Sequence, residues 1–343
     1  SDWGKVGGEL IRGRRPHEHL APSDLPPRWN WANVSGRSYA TWNTNENDPT
    51  YCASCWAHGV TSALSDRLAV QNHGAWPQVS LSPQVLINCH GGGSCRGGDP
   101  AGAYAYIHSQ GISDETCQNY QGRERACNAQ GICENCAPDN SERGLVWPGH
   151  CVAVKQPILY FLSEYGSVRG AHAMKAEIYQ RGPIGCGMES TAGFRRYSGG
   201  VYSEYRSEPM LNHEVSLAGW GAVLGSGEGV PAGTEYWVGR NSWGSNWGEG
   251  GWFRLQMHKR NLGVELDCDW GVPVQGAPVP SSVASEKGVP EEAKPLYFQA
   301  FGLAAACCIL GAVVGGFARR QMSAGARAQA AEEALEASYI RVA

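Results

Sequence analysis

The chain has 343 residues, of which 42% are hydrophobic and 17% are charged, and its formal net charge at pH 7 is −4. This composition excludes a disordered chain and provides for a sizeable core, in two ordinary domains or one larger two-lobed unit. Because the pI is about 6.2 and no long basic run occurs, we expect no nucleic-acid partner.

The cysteine content indicates the compartment. Thirteen cysteines are many for a reducing environment, so we expect an oxidising lumen or the cell exterior. Eleven of them lie between residues 52 and 268, and an odd number there predicts one free thiol. The other two, Cys307 and Cys308, belong to a separate apolar run.

Two features mark the N-terminal region. Residues 1–25 are polar, rich in Gly, Arg and Pro and free of cysteine, which is typical of a propeptide remnant. Asn33-Val34-Ser35 is a glycosylation sequon, so Asn33 is a candidate glycosylation site in a secreted context.

The first predicted helix begins at Cys55. Apolar residues such as Val60 and Leu64 recur at helical spacing until Asn72-His73-Gly74 ends the pattern. A cysteine at a helix N-terminus meets the positive end of the helix dipole and unpaired backbone N–H groups. We therefore expect a lowered thiol pKa and a nucleophilic Cys55.

Other roles for the cysteines stay open at this point. Cys55 is three residues from Cys52, a spacing also found in redox pairs, and a buried cysteine is often only part of the packing. Zinc is a further alternative, although disulfides are favoured in a lumenal domain. Its candidate ligands are Cys127, Cys133, Cys136, His150 and Cys151.

The remaining elements predict an α+β architecture. Ser82-Pro83 is a good start for a second helix, with the serine as its cap. The cysteine-dense region 117–151 lacks apolar periodicity, so crosslinks are expected to hold it together. After Pro183 the chain alternates apolar and other residues between glycine-rich turns, as strands do. A helical lobe followed by a β-rich lobe places a cleft between them.

A nucleophilic cysteine needs a base, and His213 is the best candidate. It opens an apolar strand, while Asn241 in the "GRNSWGSNWGEGGW" segment offers an amide that could orient the imidazole, with Trp243 shielding that bond from water. His58 lies three residues after Cys55 and should point away from the sulfur along a helix.

Four segments resemble the papain-like cysteine peptidases. "CASCWAH", "NHEVSLAGWG" and "RNSWGSNWGEGGW" are similar to the three catalytic blocks of that family, and "SCRGGD" is similar to its Cys-x-Gly-Gly segment. Further stretches between residues 14 and 273, such as "GAWPQVSLSPQVLINC", resemble a carboxypeptidase of the family.

The resemblance implies a papain-like two-lobed fold over residues 26–273, with a helical L lobe, a β-barrel-like R lobe and the active site between them. It implies Cys55 as nucleophile, His213 as general base and acid, and Asn241 as orienting residue. It also implies a monomeric, lysosomal-type carboxypeptidase of peptides that acts through a thioester and needs no cofactor or metal. The implied substrate-binding residues are Asn47, Tyr51, Gly97, Gly98 and Trp243.

The resemblance also implies five disulfides, which leave Cys55 unpaired. The implied pairs are Cys52–Cys95, Cys89–Cys127, Cys117–Cys133, Cys136–Cys151 and Cys186–Cys268.

Two positions depart from the family pattern. Glu46 stands where the family has a glutamine that donates a hydrogen bond to the oxyanion, and an ionised carboxylate cannot donate. Asn47 stands where the carboxypeptidase has a histidine that holds the substrate's C-terminal carboxylate, with Asp48 beside it. A membrane-anchored pseudopeptidase or peptide-binding protein is therefore the alternative function.

The C-terminal region predicts a membrane anchor. Residues 274–295 form a Pro/Ser/Gly/Glu-rich linker, and residues 296–318 are uncharged over a length that spans a bilayer. Arg319 and Arg320 follow, so residues 319–343 are expected to form a cytosolic tail. Tyr339-x-x-Val342 matches a tyrosine-based sorting signal, which implies a cytosolic adaptor and an endosomal or lysosomal membrane.

Overall fold

The computed structural model describes residues 8–139, 146–225, 229–258 and 260–276. The predicted membrane span 296–318, the tail with Tyr339, the cysteines 307 and 308 and most of the linker lie outside these ranges. Within them, no helix has both the length and the apolar character needed to cross a membrane.

The longest helix lies in the first part of the chain and most of the strands lie in the second, as predicted, although two helices lie among those later strands. The helices are α1 Cys55–Gln71, α2 Pro83–Asn88, α3 Pro100–Gln110, α4 Ala129–Ile132, α5 Ala171–Arg181 and α6 Ala192–Arg195. The strands are β1 Trp29–Asn30, β2 Gly93–Ser94, β3 Gly97–Gly98, β4 Glu134–Asp139, β5 Val146–Ala153, β6 Tyr160–Val168, β7 Ile184–Met188, β8 Val201–Tyr202, β9 His213–Ala222, β10 Glu235–Arg240, β11 Trp252–Gln256 and β12 Cys268–Gln275.

One large sheet forms the β-rich part. Its strand order is β6-β12-β7-β9-β10-β11-β8, with β1 added beside β9. All described pairs in it are antiparallel except β11 with β8. Strand β12 continues to Gln275, and Val272 and Val274 pair with β6 there. The bounds of the linker, residues 274–295, stay a prediction.

Two hydrophobic clusters correspond to the two predicted lobes. One contains residues of α1, α2 and α3, such as Leu64, Leu86 and Ile107. The other lies between the sheet and α5 and is rich in aromatic residues, including Trp237 and Phe253. The α+β prediction is therefore confirmed.

The helix starts follow from local sequence. Helix α1 begins at Cys55 as predicted, and it ends where the Asn72 N–H bonds to the Leu68 carbonyl, just before Gly74 at φ +64°. Helix α2 begins after Ser82, whose hydroxyl accepts the Val85 N–H. The four later helices, α3 to α6, were not predicted.

The N-terminal segment adds to the edge of the sheet. Leu10 exchanges two backbone hydrogen bonds of 2.9 Å with Tyr165 of β6, the last strand of the sheet. A 3-10 turn at Pro16–Glu18 then packs near α5, where His19 contacts Gln180. That this segment is a propeptide stays a prediction.

All five implied disulfides are present. They join Cys52–Cys95, Cys89–Cys127, Cys117–Cys133, Cys136–Cys151 and Cys186–Cys268. Within the described residues Cys55 is the free cysteine. The redox interpretation is wrong because Cys52 is bonded to Cys95, and the zinc interpretation is wrong because its candidate thiolates are all in disulfides.

Helix α1 is fixed to the sheet lobe by two buried ion pairs. Asp66 accepts a bond of 2.9 Å from Arg240, and Arg67 donates one of 2.8 Å to Glu177 of α5. All four side chains are 1% exposed or less. Arg67 also donates from Nε to the carbonyl of Pro183 and from Nη1 to that of Gly271, so each guanidinium nitrogen has an acceptor.

We expect Asp66→Asn to lower the free energy of unfolding by about 3–5 kcal/mol, because it leaves the buried Arg240 guanidinium without a counter-charge. Denaturant unfolding measures this loss. The matched control is Arg169→Gln, which breaks an exposed pair with Asp267 and should cost no more than about 1 kcal/mol. Equal losses of unfolding free energy in the two variants would contradict the role of the Asp66–Arg240 pair as a buried stabilising contact.

Candidate active site

Cys55 lies at the first position of α1, where the chain enters the helix from a crosslinked loop. Ser54 precedes it and bonds through its hydroxyl to the Cys52 carbonyl and the Tyr120 hydroxyl. The backbone N–H groups of Trp56 and Glu214 face the Cys55 sulfur. The second of these donors comes from β9, so the sulfur sits where the helical lobe meets the sheet lobe.

His213 and Asn241 are brought together by neighbouring strands. His213 is the first residue of β9, and Asn241 directly follows β10, which pairs with β9. The His213 Nε2 atom lies 2.8 Å from Asn241 Oδ1. Since Oδ1 is an acceptor, Nε2 carries the proton and Nδ1 is left as the basic atom. Because Glu214 is the next residue after His213, this imidazole lies at the same end of β9 as the Cys55 sulfur.

Trp243 packs over the pair. Its ring stacks on His213 with centroids 4.8 Å apart and an interplanar angle of 30°. Trp247 meets Trp243 edge-on at 5.1 Å. This aromatic cover excludes water from the bond between His213 and Asn241 and holds the imidazole plane.

The prediction of a lowered Cys55 pKa is wrong for the thiol by itself. Burial, and after it the carboxylate of Glu46, raise the pKa of Cys55 to about 12, and the N–H groups of Glu214 and Trp56 offset only part of this. Burial lowers the pKa of His213 to about 4. The helix N-terminus is therefore not enough, and a thiolate needs a protonated His213 as its counter-charge.

Glu46 is close enough to Cys55 to act on its charge. Its residue is 5% exposed, and Oε1 accepts a hydrogen bond of 2.8 Å from Trp243 Nε1. Oε2 is buried and has no hydrogen-bond partner among the described residues. Burial raises the pKa of Glu46 to about 7, although the Trp243 bond lowers it in part. Since Oε1 is occupied as an acceptor, Oε2 is the atom that can carry a proton and donate it.

Comparison with known proteins identifies the family to which this site belongs. A sequence profile for papain family cysteine proteases matches residues 25–270. Cathepsin Z of Onchocerca volvulus is 45% identical over 258 residues, which cover 73% of this chain and 79% of that protein.

The chain belongs to the papain family of cysteine proteases.

Other papain-family members agree at lower identity. A gut-specific cysteine proteinase of Caenorhabditis elegans is 30% identical over 64% of this chain and 65% of that protein. Among solved structures, the proform of the ragweed pollen cysteine protease Amb a 11 has a TM-score of 0.57 at 23% identity, covering 78% of this chain and 70% of that chain. Procathepsin B of Trypanosoma congolense has a TM-score of 0.56 at 22% identity, covering 78% and 82%. At such identities the structures show the fold alone, and they confirm the predicted papain-like fold.

The predicted substrate-binding residues of this papain-family chain lie on two sides of Cys55. Tyr51 is 74% exposed, and Asn47 is exposed as well. Gly97 and Gly98 form β3 beside Trp56, where a Cβ on Gly98 would lie 2.6 Å from the indole ring. Only glycine therefore fits under that ring, and the roles of all four residues in binding stay predictions.

Two further buried side chains, His58 and Glu214, belong to residues near Cys55. His58 points into the helical lobe, where its ring meets Tyr120 edge-on and burial lowers its pKa to about 3. This environment is unfavourable for a general base, in line with the sequence argument. Glu214 was missed, although a glutamate between His213 and an apolar strand is an outlier that the sequence displays.

We expect Glu46→Gln to keep its activity to higher pH than the wild type. Glu46 is mostly neutral below pH 7; above that pH its charge opposes both the Cys55 thiolate and an oxyanion, so wild-type kcat/KM should fall. Glutamine stays neutral, and the variant should be faster by roughly ten- to a hundredfold at pH 8 with little difference at pH 5.

The measurement is kcat/KM against pH for both proteins. Glu115→Gln is the control, because Glu115 is another carboxylate whose pKa is raised by burial but which bonds to Trp42 and Ser80 instead. Identical profiles for Glu46→Gln and the wild type would show that Glu46 does not face the reacting atoms.

Proposed function

We propose that this protein hydrolyses peptide bonds with Cys55 as nucleophile, His213 as general base and acid, and Asn241 as the residue that orients the imidazole. One observation carries the proposal: the single free thiol of the described chain lies at the junction of the lobes, beside a strand that begins with a histidine bonded to an amide. Membership of the papain family supports the same roles.

The geometry supports a two-step reaction. His213 Nδ1 takes the thiol proton while the Cys55 sulfur attacks the substrate carbonyl carbon. The protonated His213 then gives that proton to the departing amine, which leaves a thioester on Cys55. In the second step His213 removes a proton from water, the hydroxide attacks the thioester, and the acid is released as Cys55 recovers its proton.

The carbonyl oxygen becomes negative in both steps, and two donors are available for it. The backbone N–H of Cys55 is free because a helix leaves its first N–H groups unpaired. The second is Oε2 of Glu46 in its protonated form. This arrangement favours an acidic compartment, and the five disulfides support an oxidising lumen, so we propose a lysosomal or secretory location.

We further propose that the protein acts as a carboxypeptidase. The stretches between residues 14 and 273 that resemble a carboxypeptidase of the family support this. The substrate's C-terminal carboxylate would meet the exposed loop at Asn47 and Asp48. Asn47 offers an amide donor without positive charge, so the carboxylate would be held more weakly than by a protonated histidine.

The pseudopeptidase is the second candidate, and Glu46 is the observation that favours it. A buried carboxyl with an unpartnered oxygen beside the sulfur is unfavourable for a reaction that builds negative charge there. A protein in which the Glu46 carboxyl blocks the reaction would bind peptides in the cleft without cleaving them.

Labelling of Cys55 by an epoxide inhibitor of cysteine proteases separates the two candidates. A peptidase should be labelled at Cys55 with a rate that depends on His213, so His213→Ala should slow it by on the order of a hundredfold or more. His58→Ala is the control for loss of a buried histidine in the same region and should still be labelled. A wild type that resists the epoxide at pH 5 would favour the pseudopeptidase.

We expect Asn47→His to increase the preference for a free C-terminus. A protonated imidazole can pair with the substrate carboxylate, and histidine is charged mainly below its ordinary pKa of about 6.5. The ratio of kcat/KM for a peptide acid to that for its amide should therefore rise in the variant at pH 5 and much less at pH 7.5. Equal turnover of acid and amide by both proteins at pH 5 would contradict carboxylate capture at this loop.

A further inference from the structure

Arg195 is a charged residue near the proposed base that the reaction above does not use. It is the last residue of α6, and it is exposed. Burial is the largest cause of the lowered pKa of His213, and the positive charge of Arg195 lowers that pKa further. The guanidinium is therefore close enough to His213 for its charge to act on the imidazole.

The Arg195 side chain is linked to His213 through two intervening residues. Its Nε atom donates to the Ser190 hydroxyl at 3.3 Å, and its Nη2 atom donates to the Ser190 carbonyl at 3.3 Å. The Ser190 N–H donates at 2.8 Å to the side-chain oxygen of Asn212, which is the residue before His213. These bonds orient the guanidinium relative to the end of β9 that carries the imidazole.

The backbone of Arg195 is attached to the aromatic cover of the site. Its carbonyl accepts a hydrogen bond of 3.1 Å from Trp247 Nε1, and Trp247 meets Trp243 edge-on. The loop that carries Asn47 also joins Trp243, because Asn45 forms a β-bridge with it. Arg195 and the loop at Asn47 are thus both fixed to the same pair of tryptophans.

One edge of the Arg195 guanidinium is available to a ligand. Within the described residues, Nη1 has no hydrogen-bond acceptor and no carboxylate forms an ion pair with Arg195. The acids of the neighbouring segments have other partners. Glu189 accepts two bonds from Arg206, at 2.7 and 2.8 Å, and Glu204 accepts from two hydroxyl groups. Because a guanidinium presents its N–H donors in a plane that matches a carboxylate, a carboxylate is the ligand that suits this edge.

We propose that Arg195 binds the free C-terminal carboxylate of the substrate residue that leaves when the peptide bond is cleaved. This inference rests on the proposed peptidase function and names the residue that would give it a carboxypeptidase preference. The reaction brings the carboxylate to this place, because His213 gives its proton to the departing nitrogen. In a leaving group of one residue, the carboxylate carbon is only two bonds, or about 2.5 Å, from that nitrogen.

Arg195 supplies a charge that the loop at Asn47 does not offer. Asn47 has an uncharged amide, and the carboxylate of Asp48 would repel another carboxylate. Arginine is always protonated in proteins, so its attraction for the substrate's carboxylate persists at neutral pH, where a histidine has lost most of its charge.

A side-chain carboxylate of the leaving residue is the other source of the same chemistry. A glutamate side chain would carry its carboxylate four bonds from the departing nitrogen on a flexible stem, whereas the C-terminal carboxylate is two bonds away. Ordering the longer stem costs conformational entropy that the C-terminal group does not lose. The C-terminal carboxylate is therefore the better ligand, and the test includes both.

The test compares peptides that differ only in the leaving residue, which is alanine with a free carboxylate, alaninamide or the α-amide of glutamate. The wild type should cleave the alanine acid faster than alaninamide by roughly ten- to a hundredfold in kcat/KM, since hydrogen bonds between charged groups are the stronger ones. Arg195→Gln should lower this acid-to-amide ratio by a similar factor. Arg195→Lys should keep part of the ratio, because the charge remains without the planar pair of donors.

The matched control is Arg196→Gln. Arg196 is the next residue and is also exposed, but its charge acts on the phenol of Tyr202 and not on His213. This variant should keep the acid-to-amide ratio of the wild type. A merely structural contribution of positive charge at the end of α6 would instead change the ratio in neither variant or in both.

An acid-to-amide ratio that is unchanged in Arg195→Gln, or that falls equally in Arg196→Gln, would overturn the inference. A wild type that prefers the glutamate amide to the alanine acid would overturn it as well. Epoxide labelling of Cys55 checks that each variant has a folded site, and if Arg195→Gln is not labelled, Arg195→Met decides by the same ratio. A wild type that cleaves all three peptides equally would overturn the inference and leave the proposed peptidase standing, whereas one that is neither labelled nor active would refute the proposed function itself.

Discussion

The site depends on how firmly α1 is held against the sheet lobe. Asp66 and Arg67 lie in the C-terminal half of that helix and form buried ion pairs with Arg240 and Glu177. Arg240 is the last residue of β10, directly before Asn241. The ion pair between Asp66 and Arg240 is thus one residue away from Asn241, whose amide bonds to His213. Cys55 lies about three helical turns before Asp66, at the N-terminus of the same helix. Nucleophile and base belong to different lobes, but their positions are set by one connected group of buried contacts.

Two buried carboxylates act on the charge of the Cys55 sulfur. Glu46 approaches the sulfur from the loop before α1 and Glu214 from β9, and both carboxylates raise the pKa of the Cys55 thiol. Neither carboxylate has a basic partner in the described chain. Reactivity at Cys55 would then depend on the protonation of Glu46, whose pKa burial raises to about 7.

Much of the fold could be predicted from local patterns, and the rest depends on contacts that no pattern displays. The start of α1 at Cys55 and the Ser82 cap of α2 follow from spacing and capping chemistry. The disulfides followed from family resemblance, because spacing alone does not decide among the possible pairings. The order of strands in the sheet depends on long-range packing. The Cys55 pKa was misjudged because the helix N-terminus is a local feature, whereas the desolvation of the sulfur and the approach of Glu46 and Glu214 are produced by the tertiary fold.

The pairing of Leu10 with Tyr165 affects more than the N-terminal segment itself. Strand β6 ends the large sheet, and Leu10 covers part of its outer edge by exchanging both backbone bonds with Tyr165. A chain trimmed beyond Leu10 would present that edge to solvent, with an unpaired N–H and C=O at the position where a foreign strand could add. Removal of this segment would therefore make the shortened protein more prone to self-association than the longer one.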